Sequence, residues 1–389
     1  MSACHIVICG YQNRLLTCCF QGDTLIDLQA EQRDARVRVG GLYIGKVKYI
    51  VQNISAAFVE FLPGCMGYYS LTENTEHHFV NPGRKAPVVA GDELLVRVSR
   101  ENLKTKSWTL SSALTFSGRF VVLDTSHVGV RISSRIRDKK ERERLAQIIS
   151  KKDPDHGWTV RTLAEGREAP LIEDEMDKLL VDHNEIMSTY RMRTCYSVLR
   201  QGVTAYEQMI QRHLPEGGLK VTTDLPEVAE NLKGLPGLRF YQDDYPLIKL
   251  YNIEARVEKA LAKKVWLKSG AYLVIEPTEA LTVIDVNTGK STGKGNYEDH
   301  FYKINLEAAG EAMRQIRLRG LSGIILIDFI NMKDEDHLRS LMECLRRAAA
   351  QDPVRTTVVD RTALQLVEIT RKKERRTLRE QLSDQVSFS

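Results

Sequence analysis

The hydrophobic positions change their period along the chain, and the clearest pattern lies in its last third. Two apolar runs, Leu281-Thr-Val-Ile-Asp285-Val-Asn287 and Gly323-Ile-Ile-Leu-Ile-Asp328-Phe-Ile, bracket a helix-length segment. Each run is long enough for a strand buried on both faces. Between them, Glu298–Arg319 repeats apolar residues at helical spacing and stops at Gly320. The pattern predicts a β-α-β unit whose right-handed crossover lays the strands parallel and close together. Both aspartates then emerge at the carboxyl ends of neighbouring strands, where open α/β sheets place their ligands.

Earlier in the chain the period is two. Residues 1–35 read as short strands joined by polar turns. Arg36–Val51 alternates and predicts a strand pair broken by glycines. Ala56-Ala-Phe-Val-Glu-Phe, Gly67-Tyr-Tyr-Ser-Leu, Gly91-Asp-Glu-Leu-Leu-Val-Arg-Val and Ser107-Trp-Thr-Leu-Ser follow. Five short strands with glycine turns in residues 36–117 predict a small closed barrel of the OB type. Thr72–Val88, with its Asn, His, Pro and Gly, reads as a loop at the barrel's edge. Residues 118–200 mix strands (Gly118–Leu123, Gly157–Leu163) with charged helices (Arg137–Ile149, and Pro170–Leu180 onward). Residues 201–265 hold strand and helix pieces between Pro/Gly breaks. Residues 266–360 alternate strand and helix, and Leu364–Gln381 reads as a strongly basic helix.

Composition narrows the class. At 389 residues the chain exceeds one compact core, so two to four domains are expected. It is 42% hydrophobic and 28% charged, ordinary for a soluble protein. No apolar run is long enough to span a membrane, and the start reads as a first strand rather than a signal peptide, so a cytoplasmic location is expected. The seven cysteines form no C-x-x-C pair and their number is odd, which argues against a disulfide framework or a cysteine zinc site. Net charge is only +5, yet basic residues cluster at Arg131–Arg144, Arg314–Arg319 and Arg371–Arg379. Such clusters suit a polyanion, or simply form solvated helix faces interleaved with Glu.

Candidate chemistry follows. Two carboxylates converging at strand ends repel unless a cation lies between them, and a hard ion such as Mg²⁺ is the natural partner. The alternative is a helix cap for one Asp and a Lys or Arg partner for the other. In the barrel segment, Phe58 and Tyr68 or Tyr69 sit where a strand can present them outward, with Lys104 and Lys106 nearby. OB-type barrels stack bases on such residues, although single aromatics more often fill the interior. Alternation allows at most one of Tyr68 and Tyr69 inside. Arg161-Thr162 at a strand end suits a phosphate, though taken alone the pattern reads more readily as an edge-strand arginine paired with Glu. Gly289-Lys290-Ser291 invites a phosphate-loop reading, but the glycine needed five residues earlier is Ile284, so a nucleotide triphosphatase is rejected.

Asp285-Val-Asn-Thr-Gly-Lys, Asn305-Leu-Glu-Ala-Ala, Ile316-Arg-Leu-Arg-Gly-Leu-Ser-Gly-Ile-Ile and Ile327-Asp-Phe-Ile-Asn-Met together resemble the ribonuclease E/G family. Gly41-Leu-Tyr-Ile-Gly-Lys-Val, Ala56-Ala-Phe-Val-Glu and Val160-Arg-Thr extend the resemblance over nearly the whole chain. It implies an α/β multidomain fold. An S1-like OB barrel (36–117) is inserted in an RNase H-like subdomain (1–35 and 201–260). A 5′-sensor region (118–200) and a DNase I-like catalytic domain (261–389) complete it. It implies a Mg²⁺-dependent endoribonuclease, with Mn²⁺ able to substitute. Such an enzyme cuts single-stranded RNA by attack of water, leaves 5′-phosphate ends and prefers 5′-monophosphorylated RNA, acting in rRNA processing and mRNA decay.

In that resemblance Asp285 and Asp328 match the metal carboxylates and Asn287 the polar residue that supports them. Phe58, Tyr68 and Lys106 match RNA contacts. Arg161 and Thr162 match the 5′-phosphate ligands, Arg355 an arginine that braces that pocket, and Gly118 and Val122 sensor positions acting through backbone atoms. The family often has an aspartate where Asn331 stands. Its zinc-sharing cysteine motif should follow the catalytic region, but no cysteine follows Cys344. The expectation is therefore a short form without structural zinc or the small C-terminal domain, with a zinc-free homodimer through the catalytic domain left open. A non-catalytic RNA-binding protein that keeps the barrel is the rival reading, and a DNA nuclease a third.

Overall fold

A computed structural model describes residues 4–101, 107–213, 218–289 and 297–383. The chain forms two units, one built from residues up to Arg33 and from Glu216 onward, the other from Asp34–Pro215. The first unit begins with an antiparallel meander, β1 (Cys4–Tyr11), β2 (Arg14–Gln21) and β3 (Thr24–Gln32). A disulfide joins Cys4 of β1 to Cys19 of β2, where the cysteine count argued against bridging.

The second unit opens with β4 (Leu42–Val51), β5 (Ala56–Leu62), β6 (Cys65–Ser70), β7 (Glu93–Arg100) and β8 (Trp108–Ser111). The order β4-β5-β6-β8-β7, closed by β4 against β7, makes a five-stranded barrel. Arg36–Val51 holds one strand, β4, and not the expected pair. Gly45 sits inside it, where a Cβ would come within 2.6 Å of the Val59 side chain on β5. The close approach of the two strands requires glycine there, so it does not end the strand. Tyr43, Phe61 and Tyr69 fill the barrel. A four-stranded sheet follows, β9 (Thr115–Ser117), β10 (Val121–Asp124), β11 (Gly129–Ile132) and β12 (Gly157–Val160). Helices α1 (Lys139–Lys152) and α2 (Ala169–Thr189) pack on it, burying Leu145, Ile149, Ile172 and Met176. Asp138 caps α1 by accepting from the Lys140 N–H at 2.9 Å. β13 (Val198–Arg200) pairs with β4, and α3 (Ala205–His213) ends the unit.

Back in the first unit, β14 (Lys220–Thr223) lies parallel to β1, and β15 (Leu238–Phe240) parallel to β14, with α4 (Pro226–Asn231) between them. Helices α5 (Leu247–Leu250) and α6 (Ile253–Leu261) pack against this sheet. The last sheet runs β16 (Lys264–Trp266), β17 (Tyr272–Pro277), β18 (Leu281–Asn287), then after α7 (Tyr297–Arg319) β19 (Gly323–Asp328), then after α8 (Glu335–Ala350) β20 (Thr356–Arg361) and β21 (Val367–Arg371). Its order is β16-β17-β18-β19-β21-β20. Gly320, at φ +64°, ends α7 as the sequence predicts.

Two expectations change here. The strands are not buried on both faces. Ile284, Val286, Ile325 and Ile327 pack under α7 and α8, while Val283 and Ile324 on the other face are 36% and 51% exposed. The expected basic tail helix is instead β21 followed by a short α9 (Leu378–Leu382). Val-Glu-Ile-Thr-Arg alternates with β-branched residues, which suits a strand despite the basic charge. β21 is anchored by the buried Arg371. Its Nε donates to Asp352 at 2.8 Å and its Nη1 to the Leu321 carbonyl at 2.9 Å. Among the described residues no helix is long and apolar enough to cross a membrane.

Candidate functional site

β18 and β19 are parallel, and their register sets Asp285 directly opposite Asp328. Residues opposed across a ladder project from the same face, here the one opposite α7 and α8. Asp328 is exposed and Asp285 half-buried. Asn287, two residues on and therefore on the same face, donates its amide to Asp285 Oδ2 at 2.6 Å. The donor set is two carboxylates and an amide, all hard oxygen ligands, and it fits a divalent cation such as Mg²⁺. Asn331 stands exposed in the loop after β19. The glycine- and lysine-rich segment from Lys290 to Gly295 lies outside the described residues.

What holds this pair in place was not evident from the sequence. Asn305, fully buried on α7, donates to the Ile330 carbonyl at 2.7 Å and accepts from its N–H at 3.1 Å. One amide side chain thus fixes the backbone two residues beyond Asp328. Glu298, in the first turn of α7, accepts from the Lys333 and Asp334 N–H groups at 2.8 and 3.0 Å. The only signal was the Asn305-Leu-Glu-Ala-Ala motif, which carried no role.

On the barrel, Tyr69 faces inward and Tyr68 outward, so alternation resolves as expected. Phe58 lies opposite Tyr68, ring centroids 6.1 Å apart and edge-to-face. Tyr49, missed in the sequence, stacks on Phe58 at 4.9 Å with 20° between planes. The ladder continues from Tyr68 to Thr109 and from Thr109 to the exposed Arg100. One row therefore crosses the barrel surface as Tyr49, Phe58, Tyr68, Thr109, Arg100. Lys48 is not spare for a ligand. It pairs with Glu60 at 2.7 Å and, together with hydrogen bonds from Tyr196 and the Gly64 N–H, holds that carboxyl down to about 2. Lys104 and Lys106 lie outside the described residues.

Arg161 and Thr162 follow β12. The Arg161 guanidinium donates to Gln211 at 2.7 Å, and the Thr162 hydroxyl lies 3.1 Å from that of Ser133. Burial lowers the Arg161 pKa, with the nearby Glu175 carboxylate acting in the opposite direction. Glu175 of α2 also accepts from three successive backbone N–H groups, those of Arg119, Phe120 and Val121, at 2.6, 2.6 and 3.0 Å. The sequence did not single it out. Gly118 makes room for it, since a Cβ there would sit 2.5 Å from the carboxyl carbon. The Gly118 N–H itself donates to the Val121 carbonyl at 2.9 Å. Val122 is half-buried, opposite Ser117 and Thr159. Arg355 is exposed and belongs to the other unit.

Comparison with known proteins gives a consistent result. The profile described as the Ribonuclease E/G family matches residues 115–374. Ribonuclease G of Escherichia coli (strain K12) is 34% identical over 385 residues, covering 92% of this chain and 77% of that protein. Ribonuclease G of Haemophilus influenzae is 31% identical over 389 residues, covering 93% and 78%. Ribonuclease E of Nostoc sp. is 32% identical over 373 residues, covering 89% and 53%. The chain belongs to the ribonuclease E/G family of endoribonucleases.

Proposed function

We propose that this endoribonuclease cuts single-stranded RNA at the Asp285–Asp328 pair, using a divalent cation, Mg²⁺ foremost. The observation that carries the reading is the register that opposes the two carboxylates on the sheet face opposite α7 and α8, with Asn287 at 2.6 Å. A cation held there supplies a water of lowered pKa and offsets charge developing on the phosphate. The chain's own residues do the rest. Asn287 fixes the rotamer of Asp285 by donating to one oxygen and leaves the other free as a ligand. Asn305 and Glu298 hold the Asp328 segment so that the two carboxylates stay opposed. Attack by water rather than by the 2′-hydroxyl leaves a 5′-phosphate on the downstream fragment.

The barrel row of Tyr49, Phe58 and Tyr68 binds the strand by stacking, and Arg100 by charge. Arg161 and Thr162 form the core of a 5′-monophosphate pocket. A guanidinium fork beside a hydroxyl matches phosphate geometry, and partial burial strengthens the pairing. In this reading β1–β3 with β14–β15 are the RNase H-like subdomain, residues 118–200 the 5′-sensor region, and the sheet of β16–β21 the DNase I-like catalytic domain.

The test is incubation with a short single-stranded RNA bearing a 5′-monophosphate, with Mg²⁺ and with EDTA. Internal cuts that need Mg²⁺ and vanish in Asp285→Asn are the expected result. Binding without any cutting would overturn the metal-centre assignment and favour an RNA-binding role.

A further inference from the structure

The sheet face opposite α7 and α8 carries more than carboxylates. β17 and β16 continue its rows in register. Asp328 opposes Asp285, Asp285 opposes Val274, and Val274 opposes Lys264. One step along, Asn287 opposes Tyr272, and Tyr272 opposes Trp266. Ladder partners share a face, so Lys264, Tyr272 and Trp266 lie on the same face as the candidate centre. Lys264 and Trp266 stand two strands from Asp285 and Asn287, about 10 Å at the usual strand spacing, and Tyr272 stands one strand away, about 5 Å.

Trp266 is 62% exposed on the edge strand, while its neighbour Val265 packs into the core. Leaving so large an aromatic in water forgoes burial that would stabilise the fold. Its ring lies 5.1 Å from that of Tyr272. The Lys264 ammonium sits 4.0 Å from the Trp266 centroid and 3.5 Å from the Tyr272 centroid. A cation held by two rings beside an exposed indole is the combination that single-strand binders use. The ring stacks a base, and the ammonium meets the phosphate.

We propose that Trp266, Tyr272 and Lys264 form a stacking platform for a nucleotide flanking the scissile phosphate. This rests on the reading of Asp285 and Asp328 as the cutting centre. Continuity of the rows with that centre, and the positive charge, identify the occupant as the single-stranded RNA substrate rather than another protein surface.

The test compares Trp266→Ala, Trp266→Phe and Tyr272→Ala in the full chain. Affinity for a labelled single-stranded RNA is measured in the Asp328→Asn background, and kinetics in the active one. Trp266→Ala is expected to weaken binding roughly tenfold, with KM rising more than kcat falls, and Phe at the same position to restore most of it. RNA is expected to quench tryptophan emission, and Trp266→Phe to remove the part of that quenching that comes from this face, since Trp158 is fully buried and Trp108 is half-buried on the barrel. Unchanged affinity and KM in Trp266→Ala would overturn the platform. So would unchanged RNA affinity with loss of self-association, which would make this face a contact between copies. If Asp328→Asn still cut while Trp266→Ala lost affinity, the centre would lie elsewhere, and the platform would no longer flank it.

Discussion

Asp328→Asn separates a metal ligand from a structural carboxylate. The register places the Asp285 and Asp328 backbones one strand spacing apart, and Asp328 is exposed. Two like charges roughly 5 Å apart in a watery setting repel by about 1 kcal/mol. Without metal, the variant therefore loses a repulsion and no salt bridge, since the described residues include no basic partner for Asp328. For a unit of roughly 200 residues, 1 kcal/mol moves the melting temperature by about 2–4 °C. In EDTA the variant should melt at the wild-type temperature or a few degrees above it. Mg²⁺ at a hundred times its dissociation constant should stabilise the wild type by about 2.7 kcal/mol and the variant far less. Thermal scans with EDTA and across a Mg²⁺ series, alongside cleavage of a labelled RNA, measure all three quantities. A variant that melts lower in EDTA yet gains the wild-type Mg²⁺ shift would show that Asp328 supports the fold, and the reasoning would fail.

Further outcomes follow from the other sites. Arg161→Ala should reduce the preference for 5′-monophosphate over 5′-hydroxyl RNA while sparing cleavage of the latter, and equal losses on both substrates in paired kinetics would remove the sensor role. Tyr49→Ala should weaken single-strand binding by about 1–3 kcal/mol in a fluorescence titration, through the stack on Phe58, and affinity should fall with salt. No change on Tyr49 removal would disqualify the barrel row. Asn305→Ala strips both hydrogen bonds from Ile330 and leaves its backbone groups unsatisfied, which should cost about 1–3 kcal/mol in denaturant unfolding and depress kcat. Lost stability with unchanged kcat would separate the anchor from the centre.

Much of this was readable in the chain because local pattern and global fold agree there. The 281–287 and 323–328 runs, the intervening helix and its Gly320 stop are local signals, and they place Asp285 and Asp328 at the ends of neighbouring parallel strands, while the register that opposes them comes from the assembled ladder. Tyr49 was hidden for a definite reason. The pairing of β4 with β5 slips between Val47 and Tyr49, so a bulge brings Tyr49 beside Phe58. Strict alternation cannot foresee an extra residue. Glu175 and Asn305 act on backbone groups far off in sequence, and a helical pattern marks them only as polar positions. Trp266 escaped notice because an aromatic on a short apolar strand reads as core. Its exposure depends on which face the helices cover, a property of the assembled sheet.

That coverage has a consequence for how a polymer reaches the chemistry. α7 and α8 pack on one side of the β16–β21 sheet, and Asp285 and Asp328 project from the other. A strand of any length can be laid sideways across such a surface at any point along itself. In the proposed reading no terminus has to be threaded through a tunnel, and a 5′-monophosphate held at Arg161 and Thr162 favours binding without fixing which internal bond breaks. An exonuclease encloses its substrate so that the chain end arrives first. A sheet face with no helix over it among the described residues imposes no such order, and selection among internal bonds passes to whatever grips the strand on either side.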